Sequence, residues 1–351
     1  MLTILSNKFF KFKIFFIKNL LFRLFFIQKL NFYYFTIYYQ FLFNWAKTSK
    51  GGDITLSQVK SMSLLGINGH LVNVQVDISS GLPSWDIVGL PDISIKESKQ
   101  RIRAALKNIG VDIPSRKVII NLAPADLKKE GSIFDLPIAI GILCDLKIVP
   151  SKNLNSYIFI GELSLDGTLN KINGILPMCI EAYKLGIKKI IIPYENRYEA
   201  AIIKGLEIYP AKSIEDVINH FNATKQIELF NVPLENIFSK SQKHQIDFSD
   251  VKGQDHIKRA LEIAAAGGHN CLLIGSPGSG KTMMAKRLPT ILPDLTFEES
   301  LEATKIHSIS GALLSNQPLL INRPFRSPHH TISKAALVGR WQISKATEKW
   351  A

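Results

Sequence analysis

Apolar and polar positions settle into regular patterns from about Gln58 onward. Val72, Val74 and Val76 alternate with Asn73, Gln75 and Asp77, which predicts a strand with one buried face. A Gly-Leu-Pro turn at 81–83 leads to a second strand over Trp85–Val88. Ile95, Ile102, Leu106 and Ile109 then recur near helical spacing, and Gly110 stops that helix. Lys117–Leu122 is rich in β-branched residues and reads as a strand. Asp135–Asp145 is apolar nearly all round, which predicts a helix covered on every side. Tyr157–Ile160 is another strand, turning at Gly161. A helix over Pro177–Leu185 ends before Gly186, and Lys189–Ile192 is a further strand. Ser213-Ile-Glu-Asp216 has the spacing of a capping box and opens a helix through His220. Strands interleaved with helices over residues 58–222 define an α/β domain.

Residues 223–246 are polar and irregular, with Pro233 and a Ser-Lys-Ser-Gln-Lys run at 239–243, and read as a linker. Asp247–Gln254 precedes a helix bearing Ile257, Ala260, Leu261 and Ala264, which Gly267-Gly268 ends. Cys271-Leu-Leu-Ile274 reads as a short buried strand. Gly275-Ser-Pro-Gly-Ser-Gly-Lys-Thr282 follows at once, then a helical stretch to about Leu292. This is the G-x-x-x-x-G-K-[ST] phosphate loop in its strand–loop–helix setting. Glycines let backbone N–H groups converge on phosphate oxygens without Cβ clashes, and the following helix adds its dipole. In that chemistry Lys281 reaches the β- and γ-phosphates and Thr282 ligates Mg²⁺. The candidate ATP-binding residues are therefore Gly275, Ser276, Pro277, Gly278, Ser279, Gly280, Lys281 and Thr282, with Thr282 the metal ligand and ATP and Mg²⁺ the cofactors. Hydrolysis needs in addition an acid at a strand end to organise metal and water. The acids after Thr282 are Asp294, Glu298, Glu299, Glu302 and Glu348, and none follows four apolar residues. No Walker B acid and no catalytic residue is assigned.

Charge changes this picture at the ends. The 351 residues carry a net charge of +14 and a pI near 9.5, which ordinarily suggests nucleic acid or an anionic membrane. Residues 1–52, however, hold seven Lys, one Arg and no acid, and the first 45 residues hold 17 of the 33 aromatics. Residues 53–339 are left with +4 and residues 340–351 with +2. The pI is thus no evidence for DNA binding. The longest uncharged run in the N-terminal segment, Leu30–Ala46, has 17 residues, short of the ~20 that a membrane helix needs. No small-residue cleavage site follows it. Residues 1–52 read as a hydrophobic, basic extension translated from sequence upstream of the true start. A surface-lying amphipathic segment and a spanning helix are the alternatives.

With 46% hydrophobic residues the chain can bury a sizeable core, which excludes global disorder. Cys144, Cys179 and Cys271 form no C-x-x-C pair and read as small buried apolar residues in a reducing compartment. The adjacent His329-His330 point in different directions and do not suggest a shared metal.

Several segments resemble a known family. Ser80–Pro83, Asp86–Pro91, Glu97-Ser98, Arg101–Ala105, Ile120–Asp126, Lys129–Gly131 and Phe134–Pro137 are similar to the N-terminal domain of magnesium-chelatase-like AAA+ ATPases of the ComM/YifB type. Gly161–Gly167 and Gly186–Pro193 share the related Lon pattern. The resemblance implies a ribosomal-protein-S5 domain-2-like (Lon-type) α+β domain over 56–222. It implies, over 247–339, the N-terminal part of a P-loop AAA+ α/β domain. Phe248–Gln254 resembles the AAA+ segment near the adenine. Arg323–Thr331 and Ala335–Gly339 resemble the magnesium-chelatase-specific stretch, a loop near a central pore; a solvated loop is the plainer reading of Arg323 and Arg326.

The same resemblance sets limits. A Lon-type site activates a Ser with a Lys. Those two positions here are Ile133 and Leu176, and Ser132 is one residue out of line, so proteolysis is not expected. The family places Walker B, sensors and arginine finger after Gly339, where Arg340–Ala351 departs from its pattern and reads as a frameshift or premature stop. Intact relatives are cytoplasmic hexameric ATPases, and ComM-type members drive DNA branch migration in natural transformation. The expectation for this chain is ATP binding with poor hydrolysis in the cytoplasm. DNA and a homo-oligomer are implied by resemblance only, and a membrane partner is not expected. A non-catalytic partner-binding or regulatory module and the product of a broken gene are the alternatives.

Overall fold

The computed structural model describes residues 57–231, 246–313, 318–328 and 331. The 1–52 extension, residues 232–245, His329-His330 and Ala335–Ala351 lie outside the described residues.

The hairpin of β1 (Ser57–Leu65) and β2 (Asn68–Ser79) starts the fold, with Leu65 opposite Asn68. Five further strands join it: β3 (Ser84–Val88), β4 (Lys117–Ala123), β5 (Tyr157–Phe159), β8 (Lys189–Pro193) and β9 (Glu207–Ala211). The sheet order is β3-β4-β2-β1-β5-β8-β9. β1–β2 and β2–β4 are antiparallel, while β3–β4, β1–β5, β5–β8 and β8–β9 are parallel. β6 (Glu162–Leu163) and β7 (Leu169–Asn170) form a separate small ribbon. This is a mixed α/β layout with a mostly parallel central sheet.

Successive strand residues face opposite sides, so the sheet feeds two cores. Val72, Val74, Val76, Ile120 and Leu122 meet α1 (Ile93–Asn108) and α2 (Asp135–Asp145) on one face. Ile158, Ile190, Ile192 and Ile208 meet α3 (Ile175–Lys184) on the other. Leu136 through Leu143 of α2 are all buried, as the all-round apolar pattern predicts. Gly141 makes that depth attainable, because a Cβ there would lie 2.6 Å from Val76 Cγ2. After the short α4 (Arg197–Ala200), α5 (Ile214–Phe221) begins with the predicted box. The Asp216 amide donates to Ser213 Oγ at 3.3 Å and the Ser213 amide to Asp216 Oδ2 at 3.2 Å.

Residues 224–230 are irregular yet docked. The Phe230 amide donates to the Ile208 carbonyl at 2.9 Å, and the Ile227 amide donates to His220 Nδ1 at 3.1 Å. Beyond them lie α6 (Asp255–Gly267), α7 (Lys281–Arg287) and α8 (Phe297–Ile309). Gly268 closes α6 in the left-handed conformation, in the place the sequence predicts. Phe248, Val251, Leu261 and Met284 form a small core under α6 and α7. α8 packs instead toward α3, where Leu301 and Leu319 join Leu176, Ile180 and Ile202.

One element differs from its prediction. Cys271–Ile274 forms no strand, and Leu272 and Ile274 are 84% and 86% exposed. A strand needs a neighbour to pair its backbone groups, and both sheets among the described residues are built from other segments. Cys271 is consequently exposed, whereas Cys179 is buried and Cys144 half-buried.

Candidate functional site

Gly275–Thr282 is one continuous, largely exposed turn leading into α7. Gly278 and Gly280 have φ of +81° and +86°, a region that favours glycine, and Gly280 caps α7. The Ser279 amide donates to the Ser276 carbonyl at 3.3 Å and so tightens the turn. Lys281 reaches back over it. Its Nζ donates to the Gly275 and Ser276 carbonyls at 2.8 and 2.7 Å and to Ser279 Oγ at 3.2 Å. Thr282 is exposed in the first turn of α7. Six of the eight predicted residues, Gly275–Gly280, thus form the loop, and Lys281 and Thr282 open the helix that follows it.

The loop is braced from behind. Asp247 opens a 3₁₀ turn at Phe248–Asp250 with a capping box of its own. Arg287, at the end of α7, donates to the Asp247 carbonyl at 2.9 Å and to Asp250 Oδ2 at 3.3 Å. These bonds tie the segment ahead of α6 to the helix that follows the loop. Arg323 donates to the Pro293 carbonyl at 2.8 Å and to Glu299 Oε2 at 3.2 Å, and the Arg326 guanidinium lies 3.3 Å from His307 Nε2. Burial, helped by Arg326, holds the His307 imidazole below its ordinary value.

The two Lon-type positions carry no proton chemistry. Ile133 packs against both cores of the sheet, and Leu176 is fully buried at the start of α3. The neighbouring polar groups serve structure. Ser132 donates to the Glu162 carboxylate. Arg101 grips Asp135 with Nε at 2.6 Å and Nη2 at 3.0 Å, and Nη2 also donates to the Ser94 carbonyl at 3.0 Å. Burial outweighs that cation and pushes the Asp135 carboxyl up to about 6. Lys129 is fully buried and donates to the Pro124 carbonyl, and desolvation lowers its ammonium. Sequence reasoning missed this cluster, because its members lie up to 61 positions apart, from Arg101 to Glu162.

A second unpredicted feature joins α8 to the sheet domain. The Glu199 carboxylate accepts from the Leu176 amide at 3.0 Å, from Asn196 Nδ2 at 3.3 Å and from the Ser308 hydroxyl. Burial raises this carboxyl above its usual range against those three donors. Lys171 Nζ also donates to the Leu313 carbonyl at 3.2 Å. Among the described residues no helix is long and apolar enough to cross a membrane.

Comparison with known proteins agrees with this layout. The family described as subunit ChlI of Mg-chelatase matches residues 74–196, and magnesium chelatase, subunit ChlI, matches residues 247–348. Competence protein ComM of Haemophilus influenzae is 40% identical over 299 residues, covering 84% of this chain and 58% of its own. YifB of Escherichia coli is 43% identical over 286 residues, covering 82% of this chain and 55% of its own. Lon protease 2 of Bacillus subtilis is 27% identical over 181 residues, 46% of this chain and 32% of its own. The chain therefore spans somewhat more than half the length of ComM and YifB, at 58% and 55%. Fold and relatives together define an α/β protein with a Lon-like domain and a following magnesium-chelatase-like segment. The chain belongs to the magnesium-chelatase-like family of the ComM/YifB type.

Proposed function

We propose that the chain binds ATP with Mg²⁺ at Gly275–Thr282. The observation that carries this reading is the convergence of the Gly275 and Ser276 carbonyls and Ser279 Oγ on Lys281 Nζ. Lys281 lies folded over the loop, held by loop oxygens whose place a phosphate chain would take, and Gly278 and Gly280 keep Cβ atoms out of its approach. Lys281 would hold the β- and γ-phosphates and the Thr282 hydroxyl would ligate Mg²⁺. The bound nucleotide supplies a phosphoanhydride whose cleavage releases energy.

Hydrolysis by these 351 residues alone is slow or absent in this reading. Glu299 is engaged in the α8 capping box and by Arg323, and Glu298 and Glu302 lie on the same helix. None of them ends a strand, where a metal-organising acid is needed. The reading divides the chain into the Lon-like domain at 56–222, a linker at 223–246 and part of an AAA+ module at 247–339. Residues 1–52 precede both matched segments, whereas the family match at 247–348 runs through most of 340–351 and so corrects the expectation that this stretch departs from the family pattern. Likeness to ComM supports a role in competence; DNA as partner, a hexameric assembly and a cytoplasmic setting belong to this reading through the sequence resemblance alone. Steady-state ATP turnover tests the hydrolysis claim. A rate near background supports it, and turnover matching a full-length relative and abolished by Lys281→Ala contradicts it.

A non-catalytic partner-binding role for residues 56–222 is favoured by the exposed Leu82, Leu90 and Ile93. It predicts partner retention by the chain without ATP, reduced by Leu82→Ser with Leu90→Ser.

A further inference from the structure

We infer that a small pocket at the start of β3, apart from the Gly275–Thr282 loop, is a binding site for a single phosphoryl group. Ser84 and Trp85 of β3, Lys99 and Arg103 of α1, and Ser115 and Arg116 ahead of β4 line a space of about 70 Å³. That is far below the several hundred Å³ typical of sites for drug-sized ligands. It suits one tetrahedral oxyanion and not a nucleoside.

Charge is the first argument. Lys99 and Arg103 sit four residues apart on one face of α1, where like charges repel. Arg116 adds a third cation from a turn held by its amide bond to the Pro114 carbonyl at 2.8 Å. Among the described residues none of the three is in an ion pair. No acid lines the pocket. Asp86, the acid nearest Trp85 in sequence, accepts from Ser84 Oγ at 3.0 Å and occupies the opposite face of β3 from Trp85.

The second argument is a donor without an acceptor. The Trp85 indole Nε1–H is buried and makes no hydrogen bond, an arrangement that folded proteins avoid unless something completes it. Trp85 also lines the pocket, so an anion bound there changes the surroundings of its indole. Among the lining residues Arg103 and Arg116 carry guanidinium forks, Lys99 an ammonium and Ser115 a hydroxyl, donors contributed by two segments of the chain. That set fits the oxygens of a phosphate or phosphoryl group, which guanidinium forks bind in bidentate fashion. The group is either free phosphate or the phosphate of a nucleotide or phosphodiester.

The test follows the ¹⁵N–¹H indole resonance of Trp85 in the full chain, assigned by its disappearance in Trp85→Phe. The chain carries Lys281→Ala so that the other loop does not compete. Inorganic phosphate is titrated at constant ionic strength with chloride as balance. A saturable shift, weakened about tenfold or more by Arg103→Ala and by Arg116→Ala, is the expected result. Arg103→Lys, which keeps the charge, retains part of the affinity and shows that the alanine variants do not act through misfolding. Parallel titrations with AMP and with a dinucleotide separate the sources. Binding of phosphate and AMP alone assigns a free or terminal phosphate, and binding of the dinucleotide assigns a backbone phosphate; either supports the site. A linear, unsaturable shift, or one indifferent to both arginines, overturns it.

Discussion

Glu199 accepts a hydrogen bond from the Ser308 hydroxyl across 109 residues of sequence. The carboxylate lies beside the β-sheet domain and the hydroxyl on α8, so this one contact ties the two parts of the chain together. It is reinforced by the Gly174 amide, which donates to the Ser308 carbonyl at 3.0 Å. Removing the hydroxyl leaves a buried carboxylate one donor short. Ser308→Ala is expected to cost about 1–3 kcal/mol. Urea denaturation read by far-UV circular dichroism checks it, and an unchanged midpoint would show that the contact carries no stability.

Asp135 yields a pH-dependent prediction. Its carboxyl is raised to about 6 in the folded chain, above the ordinary 3.8. The folded state therefore holds this proton more tightly, and the group's contribution to stability falls as pH rises from about 4 to about 6, then levels off. Arg101 is the cation that limits the rise. In Arg101→Met the carboxyl shifts further up and the fall continues toward higher pH. The variant should be destabilised by about 3–5 kcal/mol at pH 8 and by less at pH 5. Thermal melts at the two pH values measure this, and a deficit that shrinks at pH 8 would contradict it.

Gly141 sets how closely α2 lies on β2. A Cβ placed 2.6 Å from Val76 Cγ2 must push the two elements apart. Gly141→Ala is expected to cost about 1–3 kcal/mol. Combining it with Val76→Ala should cost less than the sum of the single changes by at least ~0.5 kcal/mol, because the second removes the atom that the first strikes. Strict additivity in a double-mutant cycle would refute the clash.

These contacts differ in how far the sequence reveals them. The β2 alternation, the all-round apolar α2 and the Ser213–Asp216 box are local signals, and the structure follows them. Strand β1 escapes notice because Ser57, Ser61 and Ser63 are buried in it, giving a polar texture to a covered strand. Helix α8 is hidden for the same reason. Its buried face is Ser300, Thr304 and Ser308, whose hydroxyls bond to Leu320 and Glu199 where a core would place apolar side chains. Cys271–Ile274 misleads in the other direction, since an apolar run signals a strand but cannot supply the neighbour that pairs with it. The Gly275–Thr282 spacing is legible because phosphate chemistry fixes residue types along one short stretch. The Glu199–Ser308 contact and the Trp85 pocket join distant positions, and only folding brings them together.

The central claim concerns Gly275–Thr282, and equilibrium binding tests it most directly. A fluorescent ATP analogue is titrated into the chain with Mg²⁺ present, and the Lys281→Ala variant is run beside it. Lys281 is the cation on which the Gly275, Ser276 and Ser279 oxygens converge. Saturable binding by the unaltered chain, weakened at least ~100-fold in Lys281→Ala with the circular dichroism spectrum unchanged, is the predicted result. Equal affinity in the two proteins, or no binding by either, would contradict it.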